Sequence, residues 1–370
     1  SMQSPNMLLQ EAFSYEGAED HGRCDESCVL EPGRFGVWVF PAARHDGSRW
    51  LKGEQLRKGQ AGKPLHCKRL LVQVRGDWKM LKDVLRTPQH NECKGICWKC
   101  PCTPSTMREM STSASWRIPY TQWDMLGRML QESISCSPLF SAPCFHLDVI
   151  KLDWLRIKDL GIAAGFLGNL LWLVQSKLEG SSAQERVQKL FVLTQTYYEA
   201  NEVSDRLRDL TVTMLRQGAS KSPKLRGSAA AVRHLVPFGV QVALTYLDDA
   251  VPLEQAIRHA AVQLGLCYDM LDPAKFAQQA LASAGRKFAI LYTSIEQAVG
   301  DGVSWRIKPK LHLFMHLIES PDCPASSWCY RDEDLGGFAA ALVRSRGDHV
   351  TACSSAKNHL EKFNFFPCIC

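Results

Sequence analysis

Apolar and polar positions change their spacing twice along this chain. Near the front, residues 36–40 (Gly-Val-Trp-Val-Phe) alternate and stop at Pro41, which reads as a strand. Residues 70–74 are apolar on both faces, as in the interior of a sheet flanked by helices. Beyond residue 120 the spacing turns helical, and it predicts helices over 123–132, 162–178, 183–200, 205–216, 229–248, 253–271 and 274–299. In the fourth of these, Leu207, Leu210, Met214 and Leu215 recur at i, i+3, i+7 and i+8, a one-sided apolar stripe. Gly180-Ser-Ser, residues 218–223, Asp272-Pro273 and Gly300-Asp-Gly302 supply the breaks, and Pro237 should kink or divide the segment that contains it. Residues 306–310 (Arg-Ile-Lys-Pro-Lys) then lead into the apolar run 311–317, and 336–345 again has helical character. No repeat of fixed period occurs, which argues against a solenoid.

This order divides the chain into a loose extension (1–34), a strand-bearing front part (35–118), an all-helical stretch (119–302) and a return segment with an acid-bearing helix (303–370). It predicts an α/β core interrupted by a large α-helical insertion, mostly helical overall. With 370 residues, 45% of them apolar, the chain can bury a full core. The longest apolar stretch, 162–174, contains Asn169 and falls short of the ~20 residues that span a bilayer, so no membrane association is expected. The first residues lack the basic and apolar regions of a secretory signal, which predicts a nuclear or cytoplasmic protein, not a secreted one. In that setting the 15 cysteines read as reduced thiols or zinc ligands instead of disulfides. A formal net charge of +6 permits nucleic-acid binding without arguing for it.

Candidate chemistry concentrates in a few places. Asp77 follows the strand at 70–74 and a glycine, where two roles fit: a carboxylate projected from a strand's carboxyl end, or the cap of a helix over 78–85. His90, Cys93, Cys97, Cys100 and Cys102 offer more ligands than tetrahedral zinc needs; Cys97-Trp-Lys-Cys100 forms a knuckle, but its second pair is not at a standard distance. Cys93 with His90, or a distant residue, would complete it, and a loop of free thiols is the alternative. Asp148, Asp153 and Asp159 read as surface charges on a helix. His312 and His316 share one helix face, a spacing that could bind a metal, but no Glu accompanies them as in a metalloprotease, and core or interface histidines are the default reading. Asp332, Glu333 and Asp334 precede an apolar helix, where the helix dipole favours acids.

Taken in order, these motifs resemble the transposase domains of CACTA (En/Spm) and Plavaka-like DNA transposons. In that family a strand ends in the second catalytic Asp, a Cys-x-x-Cys follows, then an Asp-x-x-His, a His-Leu-x-x-His-Leu and a Trp-x-Tyr-x-x-Glu. Asp77, the Cys97/Cys100 knuckle, Asp153-Trp-Leu-Arg156, His312-Leu-Phe-Met-His316-Leu and Trp328-Cys-Tyr-Arg-Asp-Glu333 match that order. The chain is similar, too, to a set of dinoflagellate proteins with the same Gly-Asp-Trp, Cys-Trp-Lys-Cys and Tyr-Arg-Asp-Glu-Asp signatures. The resemblance implies an RNase H-like core and metal-dependent DNA strand cleavage or transfer. Asp77, Glu333 and Asp153 would then be the acids that hold magnesium, with zinc in the knuckle and DNA as partner. Lys58, Lys63, Lys308 and Lys310 would contact phosphates, and protein partners or self-association remain open. Two departures stand out: no strand before residue 70 ends in the family's first Asp, and Arg156 replaces the expected His. They imply a truncated or catalytically impaired derivative. The alternative is a non-catalytic helical domain, stabilised by a zinc knuckle, that binds DNA or protein.

Overall fold

The structure, a computed structural model, describes residues 73–87, 95–131 and 145–330, together with positions 137, 140, 334, 337 and 341. The expected extension over 1–34, the strand at 36–40 and most of the helix at 336–345 lie outside the described residues, as do Lys58, Lys63, His90, Cys93 and Glu333.

Two compact units make up the chain. One comprises Ser1–Val74, Ser135–Ile150 and Arg331–Cys370. Its described part holds a single parallel bridge between Val74 and Ile150, with the Val74 N–H donating to Val149 O at 2.8 Å. No strand longer than this bridge occurs among the described residues, which are mostly helical as expected; the expected strand at 36–40 and residues 70–72 lie outside them.

The other unit, Arg75–Ile134 with Lys151–Tyr330, is helical. Its elements are α1 (Trp78–Leu85), α2 (Gln122–Gln131), a π-helix (Leu155–Ala163) that runs directly into α3 (Ala164–Lys177), α4 (Ala183–Ala200), α5 (Val212–Leu215), α6 (Ala229–His234), α7 (Val236–Tyr246), α8 (Pro252–Asp269), α9 (Gln278–Val299) and α10 (Lys310–Glu319). Local chemistry sets most boundaries. Ser182, Thr211 and Ser228 each accept a backbone N–H at a helix start, which satisfies one of the donors a helix leaves unpaired. Pro237 divides α6 from α7 as its missing N–H requires. α9 ends on Gly300 at φ 62, a conformation glycine adopts without strain.

The helix expected over 205–216 does not form beyond the four residues of α5. Leu207, Leu210 and Leu215 are buried all the same, so the apolar stripe is satisfied by a docked loop. The Leu207 N–H donates to the Tyr198 hydroxyl at 3.0 Å and Arg206 to Val203 O at 2.6 Å, side-chain bonds that compete with helix formation.

The core of this unit is aromatic. Phe166 of α3 lies 5.4–5.7 Å, centroid to centroid, from Phe288 and Tyr292 of α9 and from Trp305, while Phe314 of α10 contacts both Phe288 and Trp154. Burying each such ring contributes roughly 1.5–3 kcal/mol. α9 and α10 approach so closely that a methyl group on Gly285 would stand 2.5 Å from Ile318 Cδ1. By length and composition alone the continuous helix Leu155–Lys177 could cross a membrane, but 72% of its apolar window is buried inside the structure, as in a core helix.

The charges at 153–159, expected on the surface, are inside: Asp153 is 4% exposed, Lys158 and Asp159 0%. Each has a compensating environment. Lys158 Nζ sits 3.7 Å from the Phe314 ring centroid and 4.3 Å from that of Phe288, and burial lowers its pKa to about 8. Asp159 accepts hydrogen bonds from the hydroxyls of Tyr268 (2.5 Å) and Tyr330 (2.6 Å). Burial still raises its carboxyl to about 6 against those bonds.

Candidate metal centre

Cys97 and Cys100 lie on an irregular loop tied to itself at both ends. The Ile96 N–H donates to Cys102 O at 3.0 Å and the Tyr120 N–H to Lys99 O at 2.8 Å, and the Lys99 N–H points at Cys97 Sγ from 3.3 Å. His312 and His316 stand one turn apart on α10, so their rings share a face. That face meets the loop. Cys100 Sγ is 3.2 Å from His312 Nε2 and 3.3 Å from His316 Nε2, the two Nε2 atoms are 3.1 Å apart, and all four ligand atoms lie within 4.8 Å of one another.

A tetrahedral zinc with bonds of about 2.3 Å to sulfur and 2.0–2.1 Å to nitrogen has ligand-to-ligand edges of roughly 3.3–3.8 Å. The separations among Cys100, His312 and His316 match those edges to within a few tenths of an ångström, the widest spacing in the group of four reaches 4.8 Å, and the donor set, two thiols and two imidazoles, is a common one for zinc. The group could hold such an ion. The indole of Trp116 closes one side, its centroid 4.6 Å from the His312 ring and 5.6 Å from that of His316. Trp116 is itself held by an N–H bond to Glu109 O, and Arg117, stacked on it at 4.6 Å, pairs with Glu319 at the end of α10.

Electrostatics prepare the ligands. Burial pushes the Cys97 thiol up, but the Cys100 thiol and both imidazoles outweigh it and hold Cys97 well below the usual thiol range. The Cys100 thiol is pushed up in turn, chiefly by its hydrogen bond to Cys97 and then by burial. Burial also lowers the His312 pKa, which favours the neutral ring a metal requires. His312 Nδ1 is buried without a hydrogen-bond partner, while its Nε2 faces the cluster.

The knuckle is thus completed by the distant histidines. Cys102, the fifth ligand on offer, donates to Thr103 O at 3.6 Å and accepts from the Thr106 hydroxyl instead. Each half carried a readable sign, Cys-x2-Cys and His-x3-His, both of zinc half-site spacing. What the spacing hid was that halves 212 residues apart, Cys100 to His312, belong together.

Of the expected acids, Asp77 and Asp153 lie among the described residues. Asp77 caps α1: its Oδ1 accepts the Met80 N–H at 2.7 Å. Both oxygens of Asp153 accept backbone N–H bonds, Oδ1 from Leu155 (3.1 Å) and Cys329 (3.0 Å) and Oδ2 from Arg156 (3.1 Å). Burial nevertheless raises the Asp153 pKa. The two acids do line one cavity of about 370 Å³, together with Trp98, Arg156, Lys308 and Lys310. Among the described residues the Cys97, Cys100, His312, His316 group is the sole cluster of three or more potential metal ligands. Comparison with protein-family models, with curated proteins and with solved structures finds no match for this chain.

Proposed function

We propose that Cys97, Cys100, His312 and His316 bind one zinc ion as a closed structural site, and that the helical unit it fastens is a nucleic-acid-binding domain of transposase descent in a chain that also carries an RNase H-like core. The observation that carries the zinc reading is the convergence of two half-sites of correct spacing on a volume of one ion. Four protein ligands leave no position for water or substrate, so the ion supports the fold and takes no part in chemistry. Nucleic acid as partner rests on the motif order of the resemblance and on Arg156, Lys308 and Lys310 at the shared cavity.

Metal analysis of the purified protein should give one zinc per chain, and the cobalt-substituted form should show thiolate-to-cobalt charge transfer. Cys100→Ser and His316→Ala should each lose both signals. Full zinc occupancy in both variants would refute the site.

A second reading, magnesium-dependent strand cleavage, is favoured by one observation: Asp77 and Asp153 line the same cavity. Against it, both carboxylates already serve backbone donors and three bases stand beside them. Plasmid nicking that depends on magnesium and disappears in Asp77→Asn, a variant that keeps the cap, would establish it.

A further inference from the structure

Asn169 interrupts the apolar run of α3 and is only 3% exposed, so its amide must be satisfied from within. It is, and by two separate segments. Its Nδ2 donates to Pro223 O at 3.0 Å, and its Oδ1 accepts the Trp305 N–H at 2.8 Å. One buried side chain therefore sets the distance between the segment that carries Lys221, Lys224 and Arg226 and the one that carries Arg306 and Lys308.

Both segments are held at further points. On the first, the Lys224 N–H donates to Leu215 O and the Leu225 N–H to Ala164 O, each at 2.8 Å. Gly168 allows this approach, since a methyl group there would collide with the Lys224 backbone. On the second, Asp301 Oδ1 accepts the N–H groups of Val303 and Ser304 at 2.7 Å, and Trp305 is held at φ 58.

Between the two segments lies a cleft of about 300 Å³. Five bases line it, Lys221, Lys224, Arg226, Arg306 and Lys308, alongside neutral polar groups including Ser220 and Ser222, and no acid does. Lys221, Lys224, Arg226 and Lys308 form no ion pair with any described residue. Like charges gathered on a fixed frame repel, and burial followed by the charges of Lys308 and Arg226 lowers the Lys224 pKa. A bound anion would relieve that repulsion. Hydroxyls and bases without acids are the donor set that phosphate oxygens select.

We propose that this cleft is a preformed phosphate-binding site that takes successive phosphates of a nucleic-acid backbone, with Lys224 and Lys308 as its central contacts from opposite walls. The polynucleotide source rests on the function proposed above; the phosphate chemistry of the cleft does not.

The test uses the full-length, zinc-loaded chain. Fluorescence anisotropy with labelled single-stranded and duplex oligonucleotides, taken at several salt concentrations, is compared for wild type, Lys224→Gln/Lys308→Gln, Lys221→Gln/Arg226→Gln and the control Lys189→Gln/Lys275→Gln. The control removes two exposed lysines paired to Glu185 and Asp272, outside the cleft. Inorganic pyrophosphate is titrated into the same proteins by calorimetry. The first double variant should bind about tenfold more weakly than wild type and lose about two units of salt slope, at roughly 0.9 per phosphate contact. The one-wall variant should weaken binding in the same direction, and the control should match wild type. Binding of pyrophosphate that needs Lys224 and Lys308, with no binding of oligonucleotides, would keep the phosphate site and refute the polynucleotide source together with the nucleic-acid reading. Oligonucleotide binding unchanged in both cleft variants, or weakened equally by the control, would overturn the cleft and leave the nucleic-acid reading intact. No binding of either probe would overturn the site outright.

Discussion

Replacing Lys158 by methionine should stabilise the protein at neutral pH, by an amount its surroundings set. The side chain is fully buried, Nζ has no hydrogen-bond partner, and burial takes its pKa from 10.5 to about 8. At about 1.4 kcal/mol per pKa unit, that fall is roughly 3 kcal/mol against the charged form. The rings of Phe314 and Phe288 offset part of it, since a desolvated cation–π contact contributes up to about 2 kcal/mol. The expected gain is therefore about 1–3 kcal/mol, because methionine keeps the length and places a polarisable sulfur against the same rings. The sign with pH follows from linkage. The folded-state pKa lies below the unfolded one, so the penalty is present in full below pH 8 and fades as pH rises toward 10.5. Urea unfolding of both proteins at several pH values measures it: the advantage of Lys158→Met should be largest near pH 7 and shrink above pH 8. A variant less stable than wild type at pH 7, or an advantage that does not change with pH, would refute the reasoning.

Three other substitutions test the frame. Asn169→Leu leaves Pro223 O and the Trp305 N–H unpaired in the interior and should cost roughly 2–6 kcal/mol in denaturant unfolding, at about 1–3 kcal/mol for each orphaned group. Gly285→Ala should cost about 1–3 kcal/mol by overpacking Ile318. Because Ile318 rides on the histidine helix, the same change should lower zinc affinity in a competitive chelator titration. Asp77→Ala should cost about 1 kcal/mol through loss of the α1 cap while Asp77→Asn stays near wild type, as thermal unfolding would show. Equal losses in the two would argue that the charge, and not the cap, is what the protein uses.

Most of the helices were legible because their buried faces repeat at helical spacing and their ends carry Ser, Gly or Pro. Residues 205–216 show where that logic fails: Leu207, Leu210 and Leu215 need burial, but a loop pinned by Tyr198 buries them as well as a helix would. The inward turn of Asp153, Lys158 and Asp159 was hidden for a related reason. Charge predicts exposure only on average, and nothing local tells that Tyr268 and Tyr330 will deliver hydroxyls to Asp159 from over 100 residues away. The metal centre was half legible. Sequence spacing identifies Cys97/Cys100 and His312/His316 as half-sites, but which halves meet is decided by how the cysteine loop docks on α9 and α10, through long-range pairs such as Arg108–Glu296 and Arg117–Glu319. Asp77 serves as a helix cap, a role its position beside α1 offered from the start.

The Cys100–His312 pairing also sets a timetable for synthesis. A ribosome adding about 5–20 residues per second needs roughly 10–40 s to travel the 212 residues between these ligands. Throughout that interval Cys97 and Cys100 lack His312 and His316 while His90, Cys93 and Cys102 are already at hand, so a zinc ion captured early would have to accept water or the wrong ligand. On the zinc reading proposed above, productive loading waits for α10 to be made and docked, so metal capture would be a late, product-stabilising event in the life of the chain and not the nucleus from which it folds.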